Sequence, residues 1–314
     1  MRVLLLTYDD FANVAFEFTE ALKSVGVDAF GMKYRPHPFN YYQELPIRES
    51  PMELAGLIRG FDHIIYLQSI LLDTSAIPKD YKYIKIFLFV GDHEYRKDHK
   101  RVLQHYPKIR KVFYQTGDLA GKSKLPEEWL LPAINTDLIQ TKWTPSTDFP
   151  ITIGHLPRDP GHKGSGIINY VMYKLVQDKK LAPKFVYKYT ENQQKDWPDH
   201  IERMDQCDVY IESQAYTLSS KPLGEFGVTA LECCSLSKAT ITCFNSHEKY
   251  EHEFKNTSPI IPANSPEQLE HQLRTLLSLP IEEIHKIQQQ SRDWVVKYHS
   301  RKATGARLKQ LLEK

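Results

Sequence analysis

Short apolar runs alternate along this chain with longer stretches in which apolar residues recur every three or four positions. Residues 3–7 form the first run, and an unbroken run of that length fits a strand buried in a parallel sheet. Over residues 12–25 the apolar positions Val14, Phe16, Phe18, Ala21, Leu22 and Val25 fall near helical spacing, and Gly26 stops the helix. Residues 27–32 read as a second strand, Pro36, Pro38 and Pro46 as a loop, 52–58 as a short helix and 63–67 as a third strand. Residues 84–90 (IKIFLFV) carry the strongest strand signal, and 111–114 and 129–131 follow as shorter strands. The polar segment 136–149, with Pro145 inside it and Pro150 after it, reads as a linker.

The alternation then restarts. Strands are predicted at 151–155, 184–189, 208–212 and 239–243, and helices at 166–177, 197–204 and 228–236. Ser265-Pro266 opens a helix over 265–277 with a capping serine and a proline at the first helical position. Helical stretches at 281–298 and 301–312 close the chain. Two such runs predict an α/β protein of two doubly wound, Rossmann-like domains facing across a cleft, with ligands at the carboxyl ends of the strands. The expected division is 1–140, 141–298 and a terminal helix in 299–314 that packs back toward the first domain.

Length agrees with two domains, since 314 residues exceed what one core comfortably holds. Forty-one lysines and arginines against thirty-nine aspartates and glutamates give +2, so net charge does not call for nucleic acid. Cys207, Cys233, Cys234 and Cys243 lack zinc spacing and sit in apolar surroundings, which suits buried free thiols in a reducing compartment. The first apolar run is too short for a signal peptide and no run approaches a membrane span. The expected location is cytoplasmic.

Two loops carry the candidate chemistry. In residues 153–165 (IGHLPRDPGHKGS) a strand ends in a loop with Arg158 and Lys163, and a helix follows. Cationic side chains beside a helix start suit a phosphate group; a solvated basic loop is the plainer alternative. In residues 221–232 (KPLGEFGVTALE) glycines crowd a helix start. The bare amides of Gly227, Val228 and Thr229 suit a diphosphate. Glu232, one turn further, stands where a carboxylate could accept from ribose hydroxyls; the alternative is a solvent-facing helix residue, though Leu231, Cys233 and Cys234 around it are apolar.

Together these segments resemble family four of the retaining GT-B glycosyltransferases, over nearly the whole chain. IGHLPRDPGHKGSG is similar to the family's strand and loop ending in Lys-Gly-Thr/Ser, and SQAYTLSSKPLGEFGVTALECCSLSKATIT resembles its Glu-Gly-Phe-Gly block. TGDL (116–119), WLLPAINTD (129–137) and SRDWVVKYHS (291–300) resemble three further segments in the family's order. The resemblance implies that Arg158 and Lys163 hold the donor's diphosphate and neutralise the departing nucleotide, with help from the amides of Gly227, Val228 and Thr229. It implies that Glu232 holds the ribose and that the base sits near the stretch from Lys188 to Thr190. The donor would be UDP- or GDP-linked, with no separate cofactor and no metal, because cationic side chains and a helix dipole replace the ion. On the acceptor side it points to Asp9, Asp10 and Asn13, to Asp92, and to His93 facing the transferred sugar.

Gly224 stands where the family carries a glutamate that touches the sugar, with Glu225 one residue later; Gln214 and Gly224-Glu225-Phe226-Gly227 match a variant of the pattern. The basic stretch of Arg96, Lys97, Lys100, Arg101, Lys108, Arg110 and Lys111, interleaved with Tyr95, Tyr106 and Tyr114, reads as a solvated helix face, a peripheral membrane contact or a DNA contact. The function expected is transfer of a sugar from a nucleotide-sugar to a carbohydrate or lipid-linked glycan, with retention. The rivals are a phage-type DNA glycosyltransferase acting on a modified base, and a catalytically silent GT-B binding subunit.

Overall fold

A computed structural model describes residues 1–47, 51–67, 83–91, 93–106, 108–190, 196–214 and 224–314. The chain divides into two compact units: unit 1 takes Met1–Asn135 and His299–Lys314, and unit 2 takes Thr136–Tyr298. No helix among the described residues is long and apolar enough to cross a membrane.

Unit 1 runs β1 (Arg2–Thr7), α1 (Val14–Ser24), β2 (Asp28–Lys33), α2 (Pro51–Ile58), β3 (His63–Leu67), β4 (Lys85–Val90), α3 (His93–His105), β5 (Ile109–Tyr114) and β6 (Glu127–Trp129). Its strands pair in parallel in the order β2-β1-β3-β4-β5-β6. Strands β3 and β4 are buried almost end to end, as the unbroken apolar runs require. Helix α1 starts later than its spacing predicts. Asp10, Ala12 and Asn13 hold left-handed φ values of 53°, 55° and 56°, and the Asp10 carboxylate accepts from the amides of Ala15 at 2.6 Å and Phe16 at 3.0 Å. Strand β6 lies two residues upstream of the expected one, with Trp129 as its last residue and the indole donating to the Gln115 carbonyl at 2.9 Å.

Unit 2 runs β7 (Ile151–His155), α4 (Pro160–Lys163), α5 (Ser165–Gln177), β8 (Phe185–Tyr189), α6 (Trp197–Asp205), β9 (Val209–Ile211), α7 (Val228–Ser235), β10 (Ala239–Thr242), α8 (His247–Phe254), β11 (Ile261–Pro262), α9 (Pro266–Ser278) and α10 (Ile281–His299). Its sheet is again parallel, in the order β11-β10-β9-β7-β8. The core lies between this sheet and its helices, where Ile153, Ile168, Ile211, Ile241, Leu269 and Leu273 are fully or almost fully buried. Each such side chain contributes about 1.5–3 kcal/mol through burial. Neither α8 nor β11 is signalled in the sequence: α8 is polar with only Tyr250 buried, and β11 is two residues long. All four cysteines are buried and free.

The last helix, α11 (Arg301–Glu313), packs on α1 within unit 1. The Arg301 guanidinium meets the Glu17 carboxylate twice, at 2.7 and 2.9 Å, and a Cβ at Gly305 would lie 2.0 Å from the Ala21 carbonyl oxygen.

Candidate functional site

In each sheet the strand order reverses beside the first strand, between β1 and β3 in unit 1 and between β7 and β9 in unit 2. Doubly wound sheets bind ligands at such switch points, beyond the carboxyl ends of the strands. In unit 2 the loops that flank it follow β7 and β9, and these are the two loops whose residues suggest phosphate chemistry.

The β7 loop is shaped by its own residues. Asp159 caps α4 by accepting from the His162 amide at 3.0 Å, Pro160 takes the first turn, and Gly164 (φ 67°) ends it in the left-handed conformation. The His162 amide and imidazole beside Asp159 hold its carboxyl below the usual range. This single turn presents Lys163 toward the β9 loop, and the Lys163 carbonyl accepts from the Gln214 amide at 2.9 Å. Arg158 is exposed at the same loop.

The Lys163 ammonium meets Glu212, the residue that follows β9, at 2.9 Å. Glu212 also accepts from the Gly227 amide, at 3.1 and 3.2 Å to its two oxygens, and from the Thr242 hydroxyl at 3.0 Å. Its side chain is 1% exposed, against 32% for Lys163. A Cβ at Gly227 would come within 2.7 Å of the Glu212 oxygen, so this contact requires glycine. Gly227 is the cap of α7 and offers no side chain to it. The amides of Val228 and Thr229 stand next, ahead of the intrahelical ladder, on half-buried residues.

Phe226 anchors this helix start. It packs edge-on to Phe244 with centroids 4.8 Å apart, and Tyr250 and Trp294 complete the cluster. Gly224 holds φ 75°, and a Cβ there would lie 2.0 Å from the Asn245 side-chain amide. The position that departs from the family pattern is one the local backbone reserves for glycine. Glu225 beside it is half-buried, with both carboxylate oxygens shielded from solvent.

Glu232 is buried, which removes the solvent-facing alternative, and its carboxylate accepts from the Trp197 indole at 2.7 Å. One helical turn along α6, the His200 Nδ1 is shielded and has no hydrogen-bond partner among the described residues. Burial first, then the positive charges of Lys163 and Arg203, hold His200 down to about 4. The Thr190 hydroxyl, just past β8, is likewise shielded and unpartnered among the described residues. Lys188, on the other face of β8 from Tyr189, directs its ammonium to the Gln206 carbonyl at 3.5 Å and over the Trp143 ring at 5.9 Å. Tyr189 stacks on His155 with centroids 5.8 Å apart.

His155 joins the switch point together. Its ring nitrogens lie 2.8 Å from the Ile211 carbonyl and 2.8 Å from the Ser165 hydroxyl. Burial holds the imidazole down to about 4, so it is neutral. A carbonyl only accepts, so Nδ1 carries the proton and Nε2 accepts from Ser165. His155, Trp197, His200 and Glu212 escape the sequence reading. The available signal for two of them was a lone polar residue closing a buried strand, as at His155 and Glu212.

On the other unit, Asp10 and Asn13 lie at the β1 switch point. Asp10 serves α1 as described, and burial pushes its carboxyl up to about 7. The Asn13 amide reaches the Gln43 carbonyl at 3.2 Å. Asp92 and the side chain of His93 lie outside the described residues, as does the segment 215–223. Within the basic stretch, Arg96 is held by Asp118 at 2.8 Å and Thr116 at 2.7 Å, and Lys111 faces Glu128 at 3.7 Å. Lys97, Lys100, Arg101, Lys108 and Arg110 are exposed.

No protein-family model matches the chain, and no curated protein matches it in sequence. Its structure does have relatives: two parallel α/β units of this topology make up the GT-B glycosyltransferase fold. HepE from Anabaena in complex with UDP superposes with a TM-score of 0.66 at 12% identity, over 100% of both chains. An alpha-glucosyltransferase in complex with UDP and a 13-mer DNA containing a central A:G mismatch gives 0.66 at 9% identity, again over 100% of both. Sucrose-phosphate synthase from Thermosynechococcus elongatus gives 0.62 at 10% identity, over 100% of this chain and 98% of that one.

Proposed function

We propose that this protein is a glycosyltransferase that takes a sugar from a UDP- or GDP-linked donor bound at the switch point of unit 2. The observation that carries the reading is the convergence of Lys163 and the Gly227 amide, from two distant segments, on one anionic group at that switch point. The UDP bound to HepE and to the alpha-glucosyltransferase supports a uridine nucleotide as the first to test. In this reading Lys163 and Arg158 neutralise the leaving diphosphate, and the amides of Val228 and Thr229 share its charge. Glu232, oriented by Trp197, receives the ribose hydroxyls, and the base lies near Thr190. The likeness to family four supports transfer with retention, without a metal, to a carbohydrate or lipid-linked glycan.

The test is incubation with a panel of UDP- and GDP-sugars, following release of the free nucleotide and the anomeric configuration of the product by NMR. Release from at least one donor and retention of configuration are expected. Binding of a nucleotide without release from any donor would favour a silent binding subunit.

A second reading, a DNA acceptor, is favoured by the exposed Lys97, Lys100, Arg101, Lys108 and Arg110 and by the DNA held by the alpha-glucosyltransferase neighbour. Phosphate contacts make affinity fall steeply with salt. Duplex DNA is therefore expected to be retained below about 50 mM salt and released above it; no retention there removes this reading and leaves the same surface to an anionic membrane.

A further inference from the structure

We infer that the Glu212 carboxylate is the resident counter-anion of the donor's diphosphate site, held by the cation and the amide that the diphosphate takes when the nucleotide binds. The inference rests on the donor-site reading above and adds to it a competitor supplied by the chain itself.

Lys163 ends the β7 loop and Gly227 opens α7, and the two segments share no local reason to meet. They meet because both bind Glu212, Lys163 at 2.9 Å and the Gly227 amide at 3.1 and 3.2 Å. A buried carboxylate needs such partners, since an unpaired charge in the interior is strongly disfavoured. The pair is also layered. Glu212 is sealed behind at 1% exposure, and Lys163 stands in front at 32%. An anion arriving from solvent reaches the ammonium before it reaches the carboxylate. The Thr242 hydroxyl, 3.0 Å from the second oxygen, stays with Glu212 after the exchange, so the carboxylate keeps one hydrogen bond, and the loss of its cation offsets part of the diphosphate's affinity. His200, whose shielded Nδ1 has no partner among the described residues, feels the same ammonium and marks an unsatisfied polar group there.

A carboxylate on the ammonium cancels part of the attraction for a diphosphate. Donor binding then exchanges one anion for another, and the reverse exchange helps the product nucleotide leave. Release of product is a common limit on turnover, so Glu212 acts on kcat through the lifetime of the bound product. It is a positioning residue and does not touch the transferred sugar.

The experiment is a calorimetric titration of UDP and GDP into the full chain. The tighter nucleotide and its nucleoside are then carried to Glu212→Gln, Lys163→Met and the double variant. Glu212→Gln keeps the shape and removes the charge. It is expected to tighten the diphosphate about tenfold, to leave the nucleoside within about twofold, and to lower kcat more than kcat/KM. In the Lys163→Met background the gain is expected to vanish, because the cation through which Glu212 acts is gone. Unchanged or weakened diphosphate binding in a folded Glu212→Gln protein overturns the inference, as does a gain that persists without Lys163. If the glutamine variant does not fold, Glu212→Asp draws the charge back from Lys163 and is expected to tighten the diphosphate about threefold; no change there overturns the inference equally. Failure of both UDP and GDP to bind the unaltered protein overturns the donor-site reading itself. Binding with no selective response at Glu212 overturns only the counter-anion role.

Discussion

Both units bring a helix start and a buried carboxylate to the switch point of a parallel sheet, and they hold the carboxylate in opposite ways. In unit 1, Asp10 comes from the same loop as the helix and spends both oxygens on α1, on the amides of Ala15 and Phe16. The nearby Lys33 ammonium is taken by Glu44, so burial dominates and Asp10 is pushed up to about 7. In unit 2, α5 and α7 are capped by Gly164 and Gly227, neither with a capping side chain. The carboxylate there comes from β9 and is shared between an amide, a hydroxyl and an ammonium at the solvent side. A helix start closed by its own loop is a finished piece of architecture. One capped by glycine and guarded by a borrowed carboxylate leaves its charge requirement open to exchange.

The largest expected effects concern the glycines. Gly224→Ala in unit 2 combines left-handed strain with a Cβ 2.0 Å from Asn245 and is expected to cost about 2–4 kcal/mol, or about 4–16 °C in that unit's transition. Gly26→Ala in unit 1, at φ 76° with nothing within 4 Å, is expected to cost only the backbone strain, about 1–2 kcal/mol. Calorimetric scans of the two variants compare them, and equal losses would mean that the Asn245 packing carries no weight.

Acid is expected to act in opposite directions through Asp10 of unit 1 and through His155 and His200 of unit 2. Asp10 has a folded value of about 7 against an ordinary 3.8, so the folded state binds its proton more tightly. Its contribution is fully present below the ordinary value and lost as pH rises through about 7. Between pH 8 and pH 5 this amounts to a gain of about 3 kcal/mol on acidification. His155 and His200 are held down to about 4, so the folded state of unit 2 loses about 2 kcal/mol for each between pH 7 and pH 4.5. Denaturant titrations of Asp10→Asn against the unaltered chain isolate Asp10 from His63 and His299, which burial holds down in the same unit. A variant with the same pH slope as the unaltered chain would put the Asp10 carboxyl in its ordinary range.

The next effect lies in binding. Lys163→Ala and Glu232→Ala are each expected to weaken the nucleoside diphosphate by at least about tenfold, from the ~1.5–3 kcal/mol of a lost charged partner. Glu225→Ala is expected to change it by less than about threefold. If Glu225→Ala is the most damaging in calorimetric titration, the α7 start is read one residue out of register. The smallest expected effect is that of EDTA, which should leave transfer intact because Lys163, Arg158 and the start of α7 meet the phosphate charge; loss restored by Mn²⁺ would contradict this.

The periodic parts of the fold were legible in the sequence, because a short run rich in β-branched and aromatic residues, such as the IFLFV of residues 86–90, fits a buried strand. The start of α1 was not, because it depends on three non-glycine residues in the left-handed region and on a carboxylate that folds over the amides. α8 and β11 were missed for want of period: one is polar nearly throughout and the other two residues long. At the site, Lys163, Gly227 and Glu232 stand out locally through charge and glycine spacing. Glu212 and Trp197 do not, because each takes its significance from a partner far away in the chain, and His200 takes its own from burial and from the charge of Lys163. Against the motif it resembles Gly224 marks a missing carboxylate, and the backbone at φ 75° gives it a different reason to be glycine.

The helix α11 has a consequence for the order in which the protein is made. Chains leave the ribosome from the amino end, and the first domain ordinarily folds first. Here Leu308, Leu311 and Leu312 are buried in unit 1, and Gly305 lies against the backbone of α1. Unit 1 therefore begins to emerge first and closes last, its hydrophobic side open until residues 299–314 are free of the exit tunnel. Unit 2, residues 136–298, is made within that interval, so its sequence is complete before unit 1 can close.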